Sequence, residues 1–319
     1  MKKLRLAVAS AAIGMLALSG CGQGGTPDAP ADGDGGKAEA PEYTVNESAD
    51  IADSKTWKAA KDAGEITIGV KYDQPGLGNV SAGSKTPEGF DIEIAKMVAA
   101  QLGFKPDQIK YTETVSANRE PFLQQGNVDM VVATYTINDE RKKVVDFAGP
   151  YYVAGQDLLV AEDSDIAGPE DLDGKKVCSV DGSTPAQNIK DKYKKAELVT
   201  YDAYSKCVTD LQSGSVDAVT TDDAILRGYA KQYEGEFKVV GKPFTEEPYG
   251  VGLPKDDKAL RDAVNDALEK GMDDGDWKKA FEYTLGSTDG VDMPKVDRYC
   301  PSPQIDMMRG HRPRCPRID

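Results

Sequence analysis

The sequence predicts an α/β fold made of two lobes of similar topology. Two nine-residue segments share one pattern, in which a helical stretch ends at Gly and a strand with β-branched residues follows. They start at Leu123 and Leu211 and are therefore 88 positions apart. A repeated step of this kind is typical of alternating α/β folds, and the alternative is a chance likeness of two helix–strand junctions. The length of 319 residues and the 39% hydrophobic content allow one large domain or two ordinary ones.

The first twenty residues predict an export signal. Three basic residues precede an apolar stretch from Leu6 to Leu18, which is too short to span a bilayer. The stretch ends in Leu18-Ser19-Gly20-Cys21. This resembles the lipobox of bacterial lipoproteins, in which the cysteine takes a diacylglyceryl group. We therefore expect residues 1–20 to be a lipoprotein signal peptide and Cys21 to be lipidated. The alternative is an ordinary cleavage site beside a chance cysteine.

Residues 21–55 predict a flexible tether. Most of the segment is rich in Gly, Asp, Ala and Pro and contains few large apolar side chains, so it cannot bury enough surface to fold.

The body begins with a strand and an amphipathic helix. The stretch from Ile66 to Val70 has the alternation of a strand. The sequence Gly89-Phe90-Asp91 then opens a helix, for which Asp91 is predicted as the N-cap and Gly103 as the end.

The second half repeats this order. A strand is predicted from Lys176 to Val180, and Thr184-Pro185 predicts a helix start with Thr184 as the cap and Pro185 at the first helical position. Two late amphipathic helices are predicted, and their aromatic residues are expected in the core rather than at a ligand. Their apolar faces carry Leu260, Val264 and Leu268 in one helix and Trp277, Phe281 and Leu285 in the other.

Composition excludes several classes of function. The single His is His311, near the C-terminal end of the sequence, so the body has no imidazole for a hydrolase triad or a metal site. The sequence contains no phosphate-binding or dinucleotide-binding glycine motif in the required context. The net charge of -15, without a basic stripe before residue 300, makes nucleic acid an unexpected partner. We expect no catalytic residue, no cofactor and no metal.

Two cysteines lie in the second half, Cys178 and Cys207. For an exported protein, a disulfide between them is a more economical interpretation than a nucleophile or a metal pair.

Polar side chains follow both repeated strands, where open α/β sheets bind ligands. The first strand is followed by Thr134, Thr136 and Arg141, and the second by Asp222. A helix start at Ser183 and Thr184 supplies further donors. One lobe thus offers donors for an anion and the other a carboxylate for a cation, which matches the two ends of an amino acid. The alternative is that these residues form caps and surface ion pairs.

A family resemblance rests on four motifs taken together. They are Glu88-Gly89-Phe90-Asp91-Ile92-Glu93-Ile94-Ala95, Gly126-Asn127-Val128-Asp129-Met130 through Arg141, Gly182-Ser183-Thr184-Pro185, and Gly214-Ser215-Val216-Asp217-Ala218. Over residues 64–286 the chain resembles the polar amino-acid-binding proteins of ABC importers, solute-binding family 3. The pair Cys178-Ser179-Val180 and Tyr204-Ser205-Lys206-Cys207 makes it most similar to glutamate-binding lipoproteins of Gram-positive importers.

The resemblance implies a two-lobed, periplasmic-binding-protein-like fold with a hinge of two crossing strands. Lobe 1 would comprise residues 56–152 and 248–288, and lobe 2 residues 153–247. The chain would cross near residues 151–160 and 249–253. Residues 289–319 have no assigned role, and those after Tyr299 depart from the family pattern.

The resemblance also implies roles for individual residues. Arg141, Thr136 and Thr184 would hold the α-carboxylate of an amino acid, and Asp222 its α-ammonium. Arg119 would face an acidic side chain, with Lys71 as a weaker match.

The implied function is an extracytoplasmic lipoprotein that binds L-glutamate by hinge closure and delivers it to an ABC permease. The protein is expected to be a monomer, held at the membrane by its lipid. Three alternatives stay open at this point: a binder of glutamine or another polar amino acid, a small dehydratase on the same fold, and the sensory domain of a receptor. The last would need a transmembrane helix after the body, and the sequence shows none.

Overall fold

A computed structural model describes residues 39–298 of the chain. The predicted signal peptide, Cys21 and residues 299–319 lie outside this range. Between residues 39 and 298, no helix is long and apolar enough to cross a membrane.

Strands occur throughout the body of the protein. In chain order they are β1 (Ile66–Val70), β2 (Asp73–Gln74), β3 (Gly78–Asn79), β4 (Ile109–Glu113), β5 (Met130–Val131), β6 (Asp146–Ala154), β7 (Gln156–Ala161), β8 (Lys176–Val180), β9 (Glu197–Tyr201), β10 (Ala218–Asp222), β11 (Phe237–Val239) and β12 (Glu247–Leu253).

The α-helices alternate with these strands. They are α1 (Lys55–Ala63), α2 (Phe90–Gln101), α3 (Arg119–Gln125), α4 (Asp139–Lys142), α5 (Thr184–Lys192), α6 (Tyr204–Gln212), α7 (Asp223–Gln232), α8 (Lys258–Asp273) and α9 (Asp276–Thr284). Short 3-10 turns lie at Pro106–Gln108, Ser116–Asn118 and Pro169–Leu172.

Two five-stranded sheets repeat one topology. The first has the order β4-β1-β5-β12-β6 and the second β9-β8-β10-β7-β11. In each sheet three strands run parallel and the fourth antiparallel to the third. The strands β5 and β10, which contain the ends of the two sequence repeats, occupy the same third place. The prediction of a two-lobed α/β fold is therefore confirmed.

Two passages join the sheets. The chain leaves the first sheet between β6 and β7 and returns between β11 and β12. Near these passages β6 and β12 form a long antiparallel pair in which Glu247 lies opposite Ala154. These are the crossing strands that the fold class implies. The limits expected for the lobes, at residues 152 and 247, stay a prediction.

Several sequence predictions are confirmed to the residue. The strands predicted from Ile66 and from Lys176 are β1 and β8 with the predicted bounds. Trp277 and Phe281 lie in the core, where both contact Phe90 edge to face. Cys178 of β8 and Cys207 of α6 form the predicted disulfide, with an S–S distance of 2.02 Å.

The prediction of Asp91 as a helix cap is wrong. The cap position of α2 is Gly89, and no side chain caps this helix. The amides of Phe90 and Asp91 instead donate to the carbonyls of Gly76 and Leu77, so the β2–β3 hairpin supplies the cap. The Asp91 side chain is thereby released for other partners.

The predicted start of α5 is displaced by one residue. Ser183 is the N-cap, and its hydroxyl accepts a hydrogen bond from the Ala186 amide at 3.1 Å. Thr184 and Pro185 are the first two helical residues.

The end of the predicted tether packs against the body. The Tyr43 hydroxyl donates to Glu93 at 3.0 Å, and the Asn46 amide donates to the Ala100 carbonyl at 2.9 Å. Ser54 caps α1. These contacts attach residues 43–54 to the helices that cover the first sheet.

Candidate functional site

A small cavity lies between the first and the second half of the body. Larger grooves occur elsewhere on the surface, one of them beside Asn46 and Lys105. The small cavity, however, is lined by buried charged groups of both signs, Arg119 and Asp222. Its lining consists of Ser116, Arg119, Thr134 and Thr136 from the first half, and Ser183, Thr184, Pro185, Tyr204, Asp222 and Ile225 from the second.

Six of the eight predicted binding residues line this cavity. They are Arg119, Thr134, Thr136, Ser183, Thr184 and Asp222. The remaining two, Lys71 and Arg141, lie one hydrogen bond behind lining residues. The structure thus brings the whole predicted set together, which the linear sequence spreads over more than 150 positions, from Lys71 to Asp222.

Lys71 is almost fully buried behind Ser116. Its ammonium donates to the Ser116 hydroxyl at 2.8 Å. Burial, followed by the nearby charge of Arg119, lowers the pKa of Lys71 to about 7, against the opposing charges of Asp73 and Asp91. The Lys71 ammonium therefore loses its proton more readily than that of an exposed lysine.

Arg119 is buried and bound mainly by backbone carbonyls. Its guanidinium donates to Ser116 at 3.2 Å, to Ala133 and Thr134 at 3.1 Å each, and across the cavity to Gly182 at 3.2 Å. It also stacks over the Tyr135 ring, 4.3 Å from the centroid. With these contacts Arg119 is only 2% exposed.

Arg141 reaches the same carbonyl from the other side. It donates to the Thr136 carbonyl at 2.6 Å and to the Gly182 carbonyl at 2.9 Å, and it pairs with Glu120 at 3.2 Å. Burial, followed by the charge of Arg119, lowers the pKa of Arg141 to about 10. Two guanidinium groups of the first half thus share one carbonyl oxygen of the second.

Thr134 has a strained backbone. Its φ of +44° is unusual for a β-branched residue. The conformation is held because its amide donates to Asp91 at 2.8 Å and its hydroxyl to Gln74 at 3.1 Å. This is the role that Asp91 has in place of a helix cap.

Asp222 carries the negative charge of the site. One of its oxygens accepts the Tyr249 hydroxyl at 2.7 Å, and the other, Oδ1, is buried without a hydrogen-bond partner. Burial, followed by the charge of Glu247, raises the pKa of Asp222 to about 8, and the Tyr249 bond opposes them. A buried carboxylate oxygen without a donor fits a cationic group in the cavity.

A chain of hydroxyls crosses the cavity and ends on Glu247. Thr184 donates to Glu247 at 2.6 Å, and the hydroxyls of Thr136 and Thr184 are 3.3 Å apart. With its proton on the Glu247 bond, Thr184 acts as the acceptor toward Thr136. The Thr184 hydroxyl therefore offers the cavity an acceptor and no donor, whereas the Thr184 amide, in the first turn of α5, is a backbone donor.

Sequence reasoning missed Ser116, Pro185, Tyr204, Ile225 and Glu247. Four of them directly line the cavity, and Glu247 orients a lining residue. Pro185 and Tyr204 lie within motifs that carry the family resemblance. Glu247 begins the returning strand β12, two residues before Tyr249, and this place beside the crossing is the signal that could have marked it.

The site combines fixed donors on one side with one carboxylate on the other. Such an arrangement can hold a small molecule that carries an anionic and a cationic group. Among residues 39–298, no cluster of His, Cys, Asp and Glu could hold a metal ion.

Comparison with known proteins shows the family of this chain. The family model of bacterial extracellular solute-binding proteins, family 3, matches residues 66–287. The glutamate-binding protein GluB of Corynebacterium efficiens is 47% identical over 73% of this chain and 83% of its own length. The glutamine-binding protein GlnH of Bacillus subtilis is 42% identical, over 71% of this chain and 83% of its own length.

Solved structures agree with this assignment. An ancestral arginine-binding protein bound to glutamine superimposes with a TM-score of 0.66 and 37% identity, over 70% of this chain and 99% of that chain. An L-cysteine receptor of Neisseria gonorrhoeae superimposes with a TM-score of 0.70 and 29% identity, over 75% of this chain and 98% of its own. The family consists of binding proteins, not enzymes. The chain belongs to the bacterial extracellular solute-binding proteins of family 3.

Proposed function

We propose that this protein binds L-glutamate in the cavity between its lobes and delivers it to an ABC importer at the outer face of the cell membrane. The observation that carries the proposal is that the Arg119 guanidinium of one half and the Asp222 carboxylate of the other line one cavity, with the Arg141 guanidinium directly behind the lining. Relatives at 47% and 44% identity that bear the name glutamate-binding protein support the choice of ligand.

The α-carboxylate would take the place of the Gly182 carbonyl at the Arg141 guanidinium. This oxygen already accepts from Arg119 and Arg141. A carboxylate is a stronger acceptor for guanidinium donors than an amide carbonyl, so the exchange is favourable. The Thr184 amide would add a donor, as would the Thr136 hydroxyl once its proton turns from Thr184 to the ligand, and Asp222 Oδ1 would accept the α-ammonium.

The side-chain carboxylate would face Arg119 and Lys71. Four of the five N–H groups of Arg119 donate to carbonyls, which leaves one on Nη2 for the ligand. The Lys71 ammonium would attract the side-chain carboxylate from behind Ser116, whose hydroxyl accepts its hydrogen bond.

Glutamine is the second candidate. Glutamine-binding relatives are 42% and 39% identical to this chain, and a structural neighbour holds glutamine. The buried charges of Arg119 and Lys71 favour glutamate, because a neutral amide leaves part of that charge without a counter-charge.

A calorimetric screen of the purified protein against the common amino acids tests the proposed function. We expect one saturable site with glutamate as the tightest ligand. Tighter binding of glutamine would move the assignment to the second candidate, and absence of binding to every amino acid would reject both.

The lipid anchor is a separate part of the proposal. Cys21→Ala should release the protein from membranes or leave its precursor uncleaved, because one diacylglyceryl group at Cys21 is the proposed anchor. The distribution of the variant after detergent-free fractionation measures this. Retention of mature variant in the membrane fraction would contradict it.

A further inference from the structure

Helix α6 of the second half begins without a cap of its own. The residue at its N-cap is Ala203, whose side chain has no acceptor, and no side chain of the helix supplies one. The first amides of an α-helix have no partner within the helix, so α6 needs an external acceptor.

That acceptor comes from the first half of the molecule. Oδ2 of Asp73 accepts the Tyr204 amide at 2.7 Å and the Ser205 amide at 3.4 Å. A carboxylate at this place also interacts favourably with the positive end of the helix. Asp73 begins β2, and the β2–β3 hairpin is fixed to the first half because Gly76 and Leu77 cap α2.

The helix is equally well fixed to the second half. One turn after Tyr204, Cys207 is bonded to Cys178 of β8. The hydrogen bonds of Asp73 therefore join a hairpin that is fixed to the first half with a helix that is fixed to the second.

Two further contacts surround this junction. The Tyr229 hydroxyl of α7 donates to the carbonyl of Asp73. At Gly228 a Cβ atom would lie 2.2 Å from the carbonyl oxygen of Pro75, so this close approach requires glycine. The hairpin thus contacts the second half through Asp73 and Pro75. Gln74, between them, accepts a hydrogen bond from the Thr134 hydroxyl of the cavity lining.

We propose that Asp73 is a positioning residue that holds the closed form of the protein by capping α6 across the cleft. It does not line the ligand cavity. The inference rests on the proposed binding of an amino acid by closure, and it adds a contact that sets affinity without setting ligand preference. Opening the cleft removes the cap from α6, so the open form loses these bonds.

Titration calorimetry of the full chain with L-glutamate and with L-glutamine tests the proposal. Asp73→Ala should weaken both ligands by the same factor, roughly threefold to thirtyfold, which is the range expected for losing a helix cap. The rate of ligand release should rise by a similar factor. Asp202→Ala is the matched control, because Asp202 lies at the same helix end but pairs with Lys206 of its own helix. It should leave both affinities unchanged.

A second variant separates closure from simple helix stability. Adding Ala203→Ser to Asp73→Ala gives α6 a cap of its own, since Ala203 already has the extended backbone of a cap residue. Asp73→Ala alone should lower the melting temperature, and the added Ala203→Ser should restore it. The affinities of the double variant for both ligands should stay as weak as in Asp73→Ala. Full recovery of affinity would overturn the proposal, because the cap would then act only within the second half.

Two other results are equally decisive. Unchanged affinity in Asp73→Ala, with normal binding by the wild type, would reject the role of Asp73 alone. Failure of the wild type to bind any amino acid would reject the proposed function and this role together.

Discussion

At the scale of single residues, the cavity depends on charges that are buried and only partly compensated. Arg119 donates to four carbonyls, and Asp222 keeps one oxygen without a donor. Such groups bind strongly because water does not compete with the ligand. They also make ligand preference sensitive to single substitutions.

The preference for glutamate should depend on Arg119. Arg119→Gln should weaken glutamate binding by roughly tenfold to a hundredfold more than glutamine binding, because a charge-assisted hydrogen bond to the side chain is lost. Calorimetry with both ligands measures the ratio, which is insensitive to a general loss of stability. Equal losses for the two ligands would show that Arg119 only supports the fold.

The pH dependence should differ between the two ligands. For glutamine, affinity should rise from pH 6 to about pH 8, by up to about tenfold per unit, because Asp222 with a pKa of about 8 must lose its proton to accept the ammonium. Glu247, Tyr249 and Asp223 are the groups whose interactions set this pKa most strongly after burial. In Asp222→Asn the rise should disappear.

For glutamate, Lys71 opposes that rise. Its pKa is lowered to about 7, and an anion beside it favours the protonated form, so this contribution is present below about pH 7 and lost above it. The ratio of glutamate to glutamine affinity should therefore fall as the pH increases through 7. A ratio that is constant from pH 6 to pH 8 would place Lys71 outside the reach of the side chain.

At the scale of elements, the disulfide between β8 and α6 should carry much of the stability of the second sheet. Its partners are 29 positions apart. Replacing both cysteines by serine should lower the free energy of unfolding by about 3–4 kcal/mol in the chain-entropy model. Urea denaturation with and without reductant measures this. A midpoint that does not differ between the oxidised protein and the double variant would contradict it.

The elements also show what a sequence can predict. The strands β1 and β8 are predictable from short local stretches of sequence, and their bounds are correct to the residue. Helix starts are less accessible, because the caps of α2 and α6 come from a hairpin elsewhere in the chain. Asp91 fits a cap by its local sequence, but its side chain is fixed by Thr134 and Tyr151.

Part of the site was predictable because the repeat is visible in the local sequence. The repeat around β5 and β10 placed polar residues after equivalent strands, so Thr134 and Asp222 could be paired before their contacts were known. Glu247 and Tyr204 belong to no such pattern. Their place near the cavity depends on how the two sheets are joined, which local periodicity does not encode.

At the scale of the whole molecule, neither half alone has the groups needed for both ends of an amino acid. The guanidinium groups belong to the first half and the Asp222 carboxylate to the second. Binding should therefore stabilise the closed arrangement, in which the two halves meet. Only in that arrangement can the ligand contact the groups of both halves, so it binds the closed form more tightly than the open form.

Small-angle X-ray scattering of the Cys21→Ala protein recovered free of membranes, with and without saturating L-glutamate, measures this closure most directly. We expect glutamate to reduce the radius of gyration of this protein and to leave it unchanged in an otherwise identical protein that also carries Asp222→Asn. Scattering profiles that are identical with and without glutamate, under conditions where calorimetry shows saturation, would contradict binding by closure of the two lobes.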